Sequence, residues 1–200
     1  MPATVAPAGQ FFYVLEDRLD ILFVDDDPIL REFAQVHLST DTVTLNVAED
    51  GLDALEKLAH VTPDLMLLDL EMPNMDGFQL LEALDKAGRL QAFPVIVVTG
   101  REDVAAIDRA YRAGATSFVV KPLNWRQLSY QIRYVHRTFC TEHAMIAERD
   151  QARSEADKAT AQARAVLRES QDFLATAVSR HPDLRSDAAR YAQMLSGAVG

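Results

Sequence analysis

The stretch Pro63-Asp64-Leu65-Met66-Leu67-Leu68-Asp69-Leu70-Glu71-Met72-Pro73-Asn74-Met75-Asp76-Gly77 decides how the chain folds. Its run from Leu65 to Leu68 is too short for a helix and apolar at every position, so neither face is suited to water. That is the pattern of a strand buried between two helical layers. The run stops at Asp69, and Pro73 followed by Asp76-Gly77 is turn chemistry rather than continuing structure. A carboxylate is thereby placed at the carboxyl end of a central strand, where open α/β sheets keep their ligand sites. Taken alone, Asp69 serves equally well as a cap for the loop that follows it. The flanking segments separate the two readings.

Upstream, Ile21-Leu22-Phe23-Val24 is a short apolar strand running into Asp25-Asp26-Asp27, and Pro28 then opens a helix over about 28–38. Thr42 to Val47 is a second strand and Gly51 to His60 a second helix, with Leu52, Leu55, Leu58 and Ala59 expected on its buried face. Downstream, a helix over about 77–87 carries Phe78, Leu80, Leu81 and Leu84. Val95 to Val98 is a fourth strand, ending in Thr99-Gly100, and a helix over about 102–113 stops at Gly114. Ser117 to Val120 is the fifth strand, ending in Lys121-Pro122, and a last helix starts near Asn124 with Trp125 packing at its beginning. Strands alternating with helices in this way predict an α/β fold with a five-stranded parallel, doubly wound sheet covered on both faces. Asp25, Asp26, Asp69, Thr99 and Lys121 all fall at C-terminal strand ends, and these ends converge on one edge of the sheet.

Three carboxylates and one ammonium from three strand ends make an acidic pocket. Like charges at short range are mutually costly, so such a pocket favours a cation. An all-oxygen donor set suits magnesium better than zinc or copper. Asp69, a carboxylate beside a divalent ion, can attack phosphorus and form an acyl phosphate. Lys121 can neutralise the transferring oxygens, and Thr99 offers a short hydroxyl donor. Asp25-Asp26-Asp27 alone would also fit a solvated strand end and helix cap, and the conjunction with Asp69 and Lys121 selects the pocket.

Composition narrows the class. With 48% hydrophobic and 25% charged residues the chain is globular. The net charge of −10 is uneven: residues 124–200 carry 11 Lys/Arg against 9 Asp/Glu, leaving a net of −12 on residues 1–123. An acidic first part and a balanced second part speak against nucleic acid as a partner. The single cysteine, Cys140, excludes an internal disulfide, and the five histidines show no ligand spacing. No apolar run is long enough to insert in a membrane, and the N-terminus has no cation before Arg18, so a cytoplasmic location is expected.

The motifs Ile21 to Pro28, Pro63 to Gly77, Val97-Val98-Thr99-Gly100 and Phe118-Val119-Val120-Lys121-Pro122 resemble, in order and spacing, the receiver domain of two-component response regulators. The resemblance covers about residues 18–137 and implies a flavodoxin-like, CheY-like fold. It implies that Asp69 is the phosphoacceptor, charged by a sensor histidine kinase or histidine phosphotransfer protein. Asp26 and Asp69 would ligate Mg2+ directly, Asp25 through water, and Glu71 through its backbone carbonyl. Thr99 and Lys121 would hold the phosphoryl group, and Phe118 matches the family's switch aromatic. Glu71 and Arg101 occupy variable positions where they would pair across the entrance.

No Gly or Pro occurs between Pro122 and Pro182, so the last helix can run on without a break. Leu128, Ile132, Val135, Phe139 and Ile146 follow a seam of about 3.5 residues, which weakens to Ala156, Ala163, Leu167 and Leu174. A long helix with so little apolar face needs a partner. A homodimer through a parallel coiled coil is expected, with an antiparallel hairpin within one chain as the alternative. The expected division is a tail at 1–17, a receiver domain at 18–137, a helical extension at 138–180 and a short terminal helix at 181–200, built on Leu184, Ala188, Tyr191 and Leu195. Lys121 to Trp125 and Ile132 to Val135 resemble receivers that precede diguanylate cyclases. Phe173-Leu174-Ala175-Thr176 with Met194-Leu195 resembles a histidine kinase dimerisation helix in which Ser179 replaces the phosphorylated histidine. The expected function is a phosphorylation-controlled regulator with no catalytic output, read through dimerisation or partner binding. A phosphate sink and a non-switching scaffold are the alternatives.

Overall fold

The computed structural model describes residues 18–100, 104–180, 189–190 and 193–194. Strands β1 (Leu19–Val24), β2 (Val43–Ala48), β3 (Leu65–Asp69), β4 (Val95–Thr99) and β5 (Ser117–Val120) form one sheet in the order β2-β1-β3-β4-β5. Every neighbouring pair is parallel. Between them lie α1 (Pro28–Leu38), α2 (Gly51–Leu58), α3 (Gly77–Lys86) and α4 (Val104–Arg112), and α5 (Trp125–Arg180) follows β5. The chain winds outward from β1 to β2, then returns to the other side of β1 for β3. The strand order therefore reverses between β1 and β3, which is where such sheets open a crevice.

Alternate residues of the central strands feed opposite layers. Ile21, Phe23, Leu65, Leu67, Ile96 and Val98 pack with Ala34 and Leu38 of α1 and with Leu128, Ile132 and Val135 of α5. Leu22, Val24, Met66, Leu68 and Val95 pack with Ala54 and Leu58 of α2 and Leu80, Leu81 and Leu84 of α3. All five residues of β3 are buried, so its unbroken apolar run has the predicted cause. Each large side chain so enclosed stabilises the fold by about 1.5–3 kcal/mol.

Polar residues of the loops set the helix starts. Asp27 accepts from the Ile29 amide at 2.9 Å ahead of Pro28, and Asp76 and Gln79 form a reciprocal capping box. Gly114, just past α4, has φ +99°, as a C-terminal glycine should. The edge strand β2 is closed by its own neighbourhood. Val43 O accepts from the Thr40 amide, Leu45 O from Gln35 Nε2 and Val47 O from Lys57 Nζ. Three of its carbonyls thus already carry a donor, which blunts strand addition there.

The structure corrects some sequence expectations. On α2 the buried residues are Gly51, Ala54 and Leu58, whereas Leu52 is 53% exposed and Ala59 is also exposed. Asp50 caps this helix by accepting from the Leu52 and Asp53 amides, which turns its small residues rather than Leu52 toward the sheet. β3 and β4 run one residue further than expected, taking Asp69 and Thr99 into the strands themselves.

The chain divides after Glu142 into two units. In the first, Trp125 packs on the α1 side of the core and stacks on His37 with ring centroids 5.2 Å apart. α5 is unbroken over 56 residues, yet its buried side chains, Leu128, Ile132 and Val135, all lie in its first three turns. In the second unit Met145, Ile146, Val166 and Phe173 are exposed, and Leu167, Ser170, Leu174, Ala177 and Val178 are half-buried. Of the expected terminal helix, residues 189–190 and 193–194 are described and helical. Leu184, Ala188, Tyr191 and Leu195, the expected tail at 1–17 and Arg101 lie outside the described residues.

Candidate functional site

Strand register brings the predicted residues to one place. Val24 is level with Leu68, so Asp25 leaves β1 beside Asp69 at the end of β3. Asp69 is level with Val98, which puts Thr99 one residue beyond it, and Thr99 is level with Val120, which puts Lys121 one further still. Asp25 is fully buried, Asp69 is 4% exposed and Thr99 1% exposed, whereas Asp26 is exposed. Ligand oxygens of Asp25, Asp26 and Asp69 all lie within 4.8 Å of one another.

Lys121 Nζ donates to Asp69 Oδ2 at 2.6 Å and stands 2.8 Å from Asp25 Oδ2. The second contact is an ion pair, and buried Asp25 Oδ2 has no well-directed hydrogen bond from the described residues. Asp69 Oδ1 is held from the other side by the amides of Leu70 (2.7 Å) and Glu71 (3.3 Å). Asp25 Oδ1 accepts from the Asp27 amide at 3.0 Å, and Arg31 Nη1 donates to the Asp25 carbonyl at 2.6 Å. Glu71 itself is exposed in the loop after β3.

Burial pushes the Asp25 carboxyl above its ordinary range; the approach of Lys121 and the Asp27 amide oppose this, and the Asp69 charge adds to it. Burial likewise pulls Lys121 down, but its contacts with Asp25 and Asp69 and their two charges outweigh that effect, and its pKa is raised. Lys121 therefore stays an ammonium at neutral pH, facing two carboxylates with a third nearby.

A cluster of three hard carboxylate donors, one with a buried oxygen that no described residue hydrogen-bonds squarely, fits a small divalent cation. The residues that would hold it are Asp25, Asp26 and Asp69.

Phe118 is partly buried against a small cluster of Leu70, Val97, Ala110 and Ala115, and Tyr111 of α4 meets it edge-on with centroids 6.1 Å apart. Sequence reasoning did not single out Tyr111. Asp27, which the sequence reading left out of the pocket, caps α1. The Asp27-Pro28 dipeptide carried that signal, since an N-cap acceptor ahead of a first-turn proline is a helix start. A further pair went unnoticed because its partners are 24 residues apart: Asn74 Nδ2 donates to Asp50 Oδ2 at 2.6 Å.

An acidic cluster answered by one lysine, at the crevice of a parallel sheet ordered β2-β1-β3-β4-β5, defines a receiver domain. The chain belongs to the response regulator receiver domain family, whose description matches residues 21–133. It is 34% identical over 125 residues to the transcriptional regulatory protein CseB of Streptomyces coelicolor, covering 62% of this chain and 52% of that protein. It is 39% identical over 103 residues to the Regulator of RpoS of Escherichia coli, covering 52% of this chain and 30% of that protein. The chain thus spans about half, or less, of the length of these relatives. Among solved structures, a CheY-like receiver domain protein from Methanospirillum hungatei is 28% identical with a TM-score of 0.57, covering 62% of this chain and 97% of its own. The receiver domain of a Luxo repressor protein from Vibrio parahaemolyticus, at 23% identity and TM-score 0.59 over 64% of this chain and 97% of its own, shares the fold. No described helix is long and apolar enough to cross a membrane.

Proposed function

We propose that the chain is a response regulator phosphorylated on Asp69 by a sensor histidine kinase or a histidine phosphotransfer protein. The observation that carries this is the asymmetric hold on Asp69. Two backbone amides fix Oδ1, while Oδ2 faces the Lys121 ammonium at 2.6 Å. Oδ2 is then the nucleophile. It bonds to phosphorus as the phosphorus–nitrogen bond of the donor's phosphohistidine breaks, and the electron pair leaves on the imidazole nitrogen. Lys121 is already within reach of the oxygens that arrive, and buried Thr99 stands on the adjacent strand as their hydroxyl donor. Mg2+, when bound, offsets the charge that carboxylates and phosphoryl oxygens bring together. Asp26, Asp69 and the Glu71 carbonyl would hold it directly, and Asp25 through water.

Withdrawal of Thr99 toward the phosphoryl group would open space for Phe118, so the α4–β5 surface bearing Tyr111 is where phosphorylation is read. Residues 18–137 serve as the receiver, in line with the last buried residue of α5 at Val135. Residues 138–180 serve as the output helix, which pairs with a second copy or binds a partner. The exposed Met145, Ile146, Val166 and Phe173 support that role.

The test is phosphate incorporation from a small acyl-phosphate donor with Mg2+. Wild type should take up one acid-stable, base-labile phosphate per chain. Asp69→Asn should take up none while unfolding as wild type does, since volume is kept and a repulsive carboxylate is removed. Full incorporation by a folded Asp69→Asn protein would refute the assignment.

A further inference from the structure

The loop of residues 70–76, between β3 and α3, is tied at two points. At its base the Gly77 amide donates to the Leu70 carbonyl at 3.1 Å. At its tip Asn74 Nδ2 donates to Asp50 Oδ2 at 2.6 Å, and the Gly51 amide donates to the Met75 carbonyl at 3.1 Å. Both tip contacts come from the start of α2, outside the carboxylate pocket. Asn74 has φ +60°, a left-handed conformation that asparagine tolerates better than most residues. Gly51 leaves the room this requires, because a Cβ there would stand 2.5 Å from Met75 Cγ and 2.8 Å from Met75 O.

Asp50 is only 5% exposed and its two oxygens have separate work. Oδ1 accepts from the Leu52 and Asp53 amides at 2.9 Å each, which caps α2. Capping does not need Oδ2, which is committed to Asn74. Glu71 lies between the two tie points, with its own amide on Asp69 Oδ1 at 3.3 Å.

We propose that the Asp50–Asn74 pair is a clasp that sets divalent-cation affinity at the site by holding the Glu71 backbone in place, with Asp50 as a positioning residue. This rests on Asp26, Asp69 and the Glu71 carbonyl being the cation's direct ligands, with Asp25 acting through water. Without the clasp the tip keeps only the Gly51–Met75 backbone contact, so the carbonyl samples more orientations and the cation must order it on binding. Once the cation is bound that ordering is complete. Loss of the clasp therefore weakens affinity and leaves the saturated rate of phosphorylation alone.

Two substitutions isolate the contact. Asn74→Gly removes the donor but keeps the left-handed backbone accessible, and Asp50→Ser keeps the cap on α2 but removes the second acceptor. Cation affinity is read in the full chain by titration with Mn2+ under electron paramagnetic resonance. The phosphorylation rate from a small acyl phosphate is measured separately at saturating Mg2+. Each variant should bind Mn2+ about 10-fold more weakly, and the double variant no more weakly than either single one. The saturated rate should stay within about twofold of wild type, and the Gly51 amide should lose protection from hydrogen exchange. Wild-type Mn2+ affinity in both single variants, or losses that multiply in the double variant, would overturn the clasp. Weakened Mn2+ binding in both variants, when the wild type itself takes no phosphate, would uphold the clasp and refute the phosphoacceptor assignment instead.

Discussion

Gly77 opens α3 immediately beneath the end of β3, and replacing it by alanine sets two opposed effects against each other. Alanine loses less backbone entropy on folding than glycine and is the better helix former, so the substitution alone would stabilise by about 0.5–1 kcal/mol. The new Cβ, however, would stand 2.3 Å from the Asp69 carbonyl oxygen and 2.9 Å from Leu70 Cα. Both are backbone atoms of the strand end, so no side-chain rotation relieves the overlap, which is about 1 Å inside ordinary contact. Overpacking of this kind costs about 1–3 kcal/mol, and the short distance favours the upper part of that range. The net expectation is a loss of about 2 kcal/mol, lowering the urea midpoint by about 1 M at the slopes usual for small domains. The displaced atoms belong to Asp69 and its neighbour, so phosphorylation should slow as well. Gly88→Ala is the matched control: φ there is +66° with nothing within 4 Å of the new Cβ, so it carries dihedral strain of about 1–2 kcal/mol without a clash. Gly77→Ala with a midpoint at or above wild type would refute close approach as the reason for glycine at this position.

Asp25→Asn should raise stability in the absence of divalent ions at neutral pH by about 1 kcal/mol, measured by urea unfolding. Its carboxyl is raised from 3.8 mainly by burial, so the folded state holds the proton more firmly than the unfolded chain does. The carboxylate's contribution is therefore least unfavourable below 3.8 and worsens as pH rises through the folded value, so the gap between variant and wild type should close in acid. Saturating Mg2+ should reverse the order, because it stabilises whichever protein binds it better. Removal of residues 143–200 should leave a receiver that unfolds as wild type does, since the buried residues of α5 end at Val135. Sedimentation should show that self-association is lost; a truncated chain that still dimerises would move the interface onto the receiver.

What the sequence disclosed and what it withheld divide along the range of the interactions concerned. Leu65 to Asp69 was legible because burial on both faces is written residue by residue, and a carboxylate ending such a run has to lie where the sheet meets solvent or a ligand. Asp25, Thr99 and Lys121 followed, because parallel strands with aligned ends bring their exits together whatever the helices do. Leu52 misled because apolar periodicity names a face but not its rotation. The Asp50 cap and the close approach of Gly51 to Met75 fix that rotation, and both depend on contacts the local pattern does not contain. Gly77 and Asn74 were visible as turn residues, but each owes its identity to an atom elsewhere: the Asp69 carbonyl for one, the Asp50 carboxylate for the other. The second unit is the opposite case. Its helix was legible from the absence of Gly and Pro, and the structure follows it to Arg180 with residues 141–166 all exposed. A helix of that length without a covered face is not stable alone in water. On the proposed reading of residues 138–180 as an output helix, a second surface would supply that stability, and phosphorylation of Asp69 would act by changing which surface the helix pairs with.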